Sequence, residues 1–171
     1  LGHLSAPGFR DGFRVSLITF DDTATVHGDH APAASLLGKA AVVGRGGTDV
    51  STALRAANQS RAAWQRDPTQ HELAAPVLLR VSDGCTTNTV AAQREADAAK
   101  ADGVLIVTVG FGSDADRGFL QGLATSPAHF RQAATAQELA EFFAQVGATL
   151  RDSQRSGNSP AAALAQSLRT V

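Results

Sequence analysis

Apolar residues follow two patterns along this chain, short unbroken runs and positions at helical spacing. Residues 77–81 (VLLRV) and 104–109 (VLIVTV) are nearly continuous apolar runs, which are typical of strands covered on both faces of a parallel sheet. Residues 49–64, 88–101 and 135–150 show the helical spacing. This alternation predicts an α/β fold with a doubly wound, mostly parallel sheet and helices on both faces.

The part of the chain before residue 49 predicts a hairpin instead. Residues 13–20 read as a strand, Asp21-Asp22 as a two-residue turn and residues 23–27 as a short return strand. Such a connection implies one antiparallel edge strand. A short helix is expected within residues 32–39.

The same patterns divide the chain into three segments. Residues 1–12 read as a loop, residues 13–150 as one α/β domain, and residues 151–171 as a linker followed by a weak terminal helix or a disordered tail. A chain of 171 residues suits one domain with a substantial core. Thr135 and Glu138 form a T-x-x-E capping box, which predicts where the last long helix begins.

A carboxylate follows directly on the strand at residues 77–82. Asp83 lies in an S-D-G turn, and open α/β sheets build ligand sites at the carboxyl ends of their strands. Thr48 ends a glycine-rich loop before the helix at 49–64. Carboxylate and hydroxyl oxygens are ligands that hard divalent cations prefer. The competing interpretations are an ordinary Asp-Gly turn for Asp83 and a helix N-cap for Thr48.

Neighbouring acidic and hydroxyl side chains have simpler interpretations. Asp49 and Ser51 are typical caps at the start of a helix. Asp21 and Asp22 also follow a strand, and we interpret them as a solvated hairpin turn.

Charge and composition narrow the classes of partner. The net charge is -1, from 15 basic and 16 acidic residues, and the arginines are scattered, so neither nucleic acid nor an anionic membrane is expected. The apolar segments are too short to cross a membrane. The chain has a single cysteine, Cys85, and this favours a reducing compartment. Because methionine is absent, even at Leu1, we expect a processed or truncated product.

No enzyme signature is present in the sequence. Cys85 lies beside Asp83, whose negative charge opposes thiolate formation. The five histidines lack metalloprotease spacing, and there is no G-x-S-x-G elbow or Walker loop. We therefore expect a protein that is not an enzyme.

Four blocks of sequence together resemble the von Willebrand factor type A (vWA) domain. They are RVSLITF, GGTDVSTAL, VLLRVSDG and VLIVTVGFG, at residues 14–20, 46–54, 77–84 and 104–112. The ending ATAQELAEFFAQVGATL, at residues 134–150, resembles the bacterial tellurium-resistance-associated branch of that family. The resemblance implies a doubly wound fold in a bacterial, cytoplasmic stress-response setting.

The resemblance also implies a metal. Members of the family usually hold Mg²⁺ or Mn²⁺ in a metal-ion-dependent adhesion site, where a partner's carboxylate commonly completes the coordination. Thr48 and Asp83 match the threonine and the aspartate of that site. The D-x-S-x-S loop after the family's opening strand has no match here, so we expect that strand to be missing and the site to be incomplete.

Three hypotheses for the function follow. The first is a non-enzymatic module that binds protein partners through the metal. The second is a degenerate vWA scaffold that contributes assembly contacts without a metal. The third is a small α/β hydrolase that uses Asp83, for which the sequence offers no second catalytic group.

Overall fold

The computed structural model describes residues 14–36, 48–66, 76–82 and 86–169. The chain divides into two compact units. The first draws on Leu1–Leu73 and Thr86–Glu95, and the second on Ala74–Cys85 and Ala96–Val171. The element order confirms the predicted α/β class, with one antiparallel strand pair and one parallel sheet.

The first unit contains the predicted antiparallel hairpin. Strand β1 (Arg14–Phe20) pairs with β2 (Ala24–Pro32), and the register closes on Phe20 opposite Ala24. The connection therefore has three residues rather than two, because the backbone N–H of Thr23 donates to Asp21 Oδ1 within the turn.

Strand β2 is longer than the sequence predicts. It continues beyond residue 27 to Pro32, with irregular pairing opposite Leu17. The helix expected within residues 32–39 is reduced to a four-residue 3-10 helix, Ala33–Leu36, while residues 37–39 lie outside the described residues. Pairing with β1 holds this polar, glycine-containing segment extended despite its weak strand signal.

Helix α1 (Val50–Arg66) lies against both strands of the hairpin and confirms the helix predicted over residues 49–64. It buries Val50 and Leu54, and the 3-10 helix buries Leu36. The His30 ring stacks on Trp64 with centroids 4.2 Å apart.

Helix α2 (Thr89–Ala101) belongs to the first unit through Glu95 and to the second from Ala96 onward. It confirms the helix predicted over residues 88–101, and it buries a face of small side chains, Ala92, Ala96 and Ala99. The chain leaves the helix through Gly103 at φ +78°, a left-handed conformation that favours glycine.

The second unit is built on a parallel sheet in the order β3-β4-β5. The strands are β3 (Val77–Ser82), β4 (Leu105–Phe111) and β5 (Phe130–Ala133). The central strand β4 is buried along almost its whole length, as its apolar run predicts. Strand β3 keeps partial exposure at most positions, and within the described ranges it has a strand neighbour on one edge only.

Helices α3 (Arg117–Leu123) and α4 (Ala136–Ser156) begin at capped residues. Asp116 accepts the N–H of Phe119 at the start of α3. Thr135 accepts the N–H of Glu138 at the start of α4, and Glu138 in turn accepts the N–H of Ala134. The predicted capping box is therefore present, displaced by one residue on its glutamate side.

The segment predicted as a linker and tail forms regular structure. Residues 151–156 continue α4, and Gly157 ends that helix at φ +68°. After a three-residue break at 157–159, Pro160–Arg169 form helix α5, which buries Leu164 and Leu168 within the second unit. None of the helices in the described ranges is both long and apolar enough to cross a membrane.

Candidate functional site

Thr48 lies where three segments of the first unit meet. The backbone N–H of Asp49, the next residue, donates to the carbonyl oxygen of Asp21 in the hairpin turn at 2.7 Å. The carbonyl oxygen of Thr48 accepts the N–H of Thr87, just before α2, at 3.0 Å. Backbone hydrogen bonds therefore fix the main chain of Thr48 between the hairpin and the segment that leads into α2.

Asp49, and not Thr48, caps helix α1. Its Oδ1 atom accepts the backbone N–H of Ser51 at 2.9 Å and the Ser51 hydroxyl at 2.6 Å. The N–H of Val50 donates to Thr86 Oγ1 at 3.1 Å. The expected capping role of Asp49 is confirmed, and the capping interpretation of Thr48 is not supported. Within the described ranges, no hydrogen bond involves the Thr48 hydroxyl.

Asp83 and Cys85 lie outside the described residues, so the metal pair predicted from the sequence is not brought together by any observed contact. The nearest described positions are Ser82, the buried last residue of β3, and Thr86, which contacts α1. Among the described residues, no group of three or more histidine, cysteine or acidic side chains is arranged to hold a metal ion. The donor chemistry of a threonine hydroxyl and a carboxylate nevertheless fits Mg²⁺ or Mn²⁺.

The hairpin acids form the solvated turn that the sequence predicts. Hydrogen bonds from the backbone and then from the hydroxyl of Thr23 hold the pKa of the Asp21 carboxyl below its usual value. Because its carboxylate accepts both of these hydrogen bonds from within the same turn, Asp21 stabilises the hairpin turn.

A second polar cluster in the first unit was not predicted. One oxygen of Asp29 accepts hydrogen bonds from the hydroxyls of Ser16 and Ser60 and lies 2.8 Å from His30 Nδ1. Burial raises the pKa of Asp29, but the two hydroxyls and the His30 charge together outweigh it and hold that pKa below its usual value. Ser16 and Ser60 lie 13 and 31 residues from Asp29 in the sequence, so no local pattern reveals the cluster.

This Asp29 cluster does not have the geometry of a catalytic triad. In a triad, the serine hydroxyl and the carboxylate bond to opposite nitrogens of the imidazole. Here Ser60 Oγ lies 3.5 Å from His30 Nδ1, the same nitrogen that faces Asp29. The cluster therefore joins β1 and β2 to α1 and is structural. His30 takes a left-handed φ of +44°, which this packing holds in place.

The model of the von Willebrand factor type A domain matches residues 2–145 of this chain. No curated protein shows a significant match. Many solved structures are similar to this chain in fold. Their sequences are identical to it at only about one residue in five or fewer, so the likeness shows the fold alone.

Three solved structures illustrate the likeness. Proximal thread matrix protein 1 from the mussel byssus, with zinc in its MIDAS motif, is 21% identical with a TM-score of 0.65, over 84% of this chain and 35% of that chain. The pilus adhesin SpaC from Lactobacillus rhamnosus GG is 15% identical with a TM-score of 0.70, and the match covers 86% of this chain and 26% of SpaC. The manganese-loaded TRAP protein of Plasmodium vivax is 15% identical with a TM-score of 0.62, and the match covers 81% of this chain and 59% of the TRAP chain. This chain thus spans about a third of the length of the mussel protein.

Proposed function

Because this chain belongs to the von Willebrand factor type A domain family, we propose that it is a non-enzymatic module that binds a protein partner through a divalent metal. Thr48 and Asp83 are the proposed metal-binding residues. A bound Mg²⁺ or Mn²⁺ ion supplies a positive charge and an open coordination position that a partner's carboxylate can take. The chain's own part is to hold two oxygen ligands, one just before α1 and one just after β3.

The observation that carries this proposal is the cap of helix α1. The helix start is satisfied by Asp49 and by Thr86, which leaves the hydroxyl of Thr48 without a capping role. The carbonyl of the same threonine is fixed by Thr87, which follows Asp83 by four residues in the sequence. The zinc-occupied MIDAS motif of the mussel protein supports a divalent metal in this fold.

Two further features of the proposal rest on the sequence. Residues 134–150 resemble the tellurium-resistance-associated branch, which supports a cytoplasmic stress-response role in bacteria. The missing D-x-S-x-S match leaves two protein ligands, so we expect weak metal affinity. A scaffold without metal is the second candidate, and the same missing motif favours it.

The test measures thermal unfolding of the chain with increasing Mn²⁺. An ion that binds only the folded state stabilises it by about 2.7 kcal/mol at a hundredfold excess over its Kd. Mn²⁺ should raise the melting temperature of the wild type, and Thr48→Val and Asp83→Asn should each lose that response. Asp22→Asn is the matched control, because it removes an exposed acid of the hairpin turn and should keep the response.

Two results would contradict the metal proposal. One is a wild-type melting temperature that does not respond to Mn²⁺, which would leave the scaffold as the function. The other is an equal response in wild type, Thr48→Val and Asp83→Asn, which would place the ion elsewhere on the chain.

A further inference from the structure

His129 is buried beside the last helix of the chain. It ends the 3-10 helix Pro127–His129, which lies against α5, and only 2% of its surface is exposed. Its Nδ1 atom lies 3.2 Å from the hydroxyl of Ser126, while Nε2 is buried and makes no hydrogen bond of good geometry within the described ranges. The backbone of Ala165 on α5 also faces the ring.

Two arginines surround this histidine. The guanidinium of Arg131 on β5 donates to the carbonyl oxygen of Leu168, near the carboxyl end of α5, and is thereby fixed. Arg169 lies in the last turn of the same helix. Both positive charges act on the ring, and among the described residues no carboxylate offsets them. A neutral imidazole fits this environment, whereas an imidazolium would be a buried positive charge with two further positive charges near it, on the half-buried Arg131 and the exposed Arg169.

We propose that α5 is a pH-sensitive latch, which protonation of His129 releases from the second unit. Release would expose Leu164 and Leu168, the two leucines that the helix buries completely, together with the apolar surface beneath them. Helix α5 lies after residue 145, where the match to the family model ends.

The direction of the pH effect follows from the burial. Desolvation is the largest cause that lowers the pKa of His129 below 6.5, and the charges of Arg169 and Arg131 lower it further, while the Ala165 backbone acts in the opposite sense. The released state, with an ordinary pKa, binds more protons than the docked state below pH 6.5. Docking is therefore unaffected at higher pH and weakens as the pH falls through this range.

Hydrogen exchange of the full chain tests the latch. The amides of α5 are followed at about pH 7.5 and about pH 5, corrected for intrinsic exchange, with β4 amides as the internal reference. The protection of α5 should fall by about tenfold for each unit by which the pH lies below 6.5, until the lower pKa of the docked state is reached. His129→Gln, which cannot gain a proton, should lose this pH dependence. His27→Gln is the control histidine change, in the first unit, and should keep it.

The proposal is overturned if the protection of α5 in the wild type does not change with pH, or changes equally in His129→Gln. Should His129→Gln fail to fold, an NMR titration of the wild type decides instead. A His129 pKa at or above 6.5 would show that the docked helix does not disfavour the proton.

Discussion

The backbone N–H of Thr87 donates a hydrogen bond to the carbonyl oxygen of Thr48 at 3.0 Å. Together with the bond from the Val50 N–H to Thr86 Oγ1, it attaches the start of α1 to the segment that enters α2. Each helix start is thus held partly by residues from the other segment. This relationship separates two tasks that the sequence alone cannot separate, because Thr48 supplies a backbone contact and Asp49 supplies the cap.

The separation predicts different costs for two adjacent substitutions. Asp49→Ala removes the oxygen that accepts the Ser51 N–H, and loss of such a cap costs about 1 kcal/mol of unfolding free energy. Thr48→Val keeps the backbone bond to Thr87 and should cost only a few tenths of that. Urea unfolding, followed through the fluorescence of Trp64, measures both, since the single tryptophan lies on α1. Equal costs would show that Thr48 also caps the helix.

Most of the second unit could be predicted from the sequence because its signals are local. The apolar run of β4 and the caps at Asp116 and Thr135 each involve residues within a few positions of one another. For helix α5 the sequence predicts only a weak helix or a disordered tail, because PAAALAQSLR contains few large apolar residues. Its stability as a helix comes from burying Leu164 and Leu168 against the rest of the unit.

The first unit was harder to predict because non-local contacts determine it. Strand β2 reads as polar and contains Gly28, and the structure holds it in place through Asp29, which accepts from Ser16 and Ser60. The cap of α1 depends in the same way on Thr86, which is 36 residues beyond Val50. Threonine and aspartate are both good caps, so local sequence could not choose between Thr48 and Asp49.

Asp29 should make the stability of the first unit sensitive to acid. Its pKa lies below the ordinary 3.8, so its contribution is present above that pH and is lost as the pH falls through the lower, folded-state pKa. Because the side chain is 47% exposed, we expect only about 1 kcal/mol. Asp29→Asn should be less stable than the wild type near neutral pH. Its free energy of unfolding, followed through Trp64 fluorescence, should also decrease less than that of the wild type as the pH falls below 3.8.

Ser60→Ala provides the graded control for the Asp29 cluster. It removes one of the two hydroxyl donors, so the pKa of Asp29 should rise toward 3.8. The stability that Asp29 loses below that pH should then be smaller, and the loss should be complete at a higher pH than in the wild type. If the free energy of unfolding falls with acid equally in the wild type and in Asp29→Asn, other carboxylates set the acid sensitivity of this unit.

Two glycines of the second unit should respond to alanine with opposite signs. A Cβ at Gly110 on β4 would lie 2.9 Å from the Ala115 Cβ and 3.1 Å from Leu120 Cδ1, and the short Ala115 side chain cannot rotate away. Overpacking of this kind costs about 1–3 kcal/mol. At Gly118 on α3, the nearest atom is Asp116 Oδ1 at 3.6 Å, an ordinary contact, so the helical alanine should gain about 0.5–1 kcal/mol. Thermal unfolding by circular dichroism compares the two, and a stabilised Gly110→Ala would mean that β4 and α3 can move apart without cost.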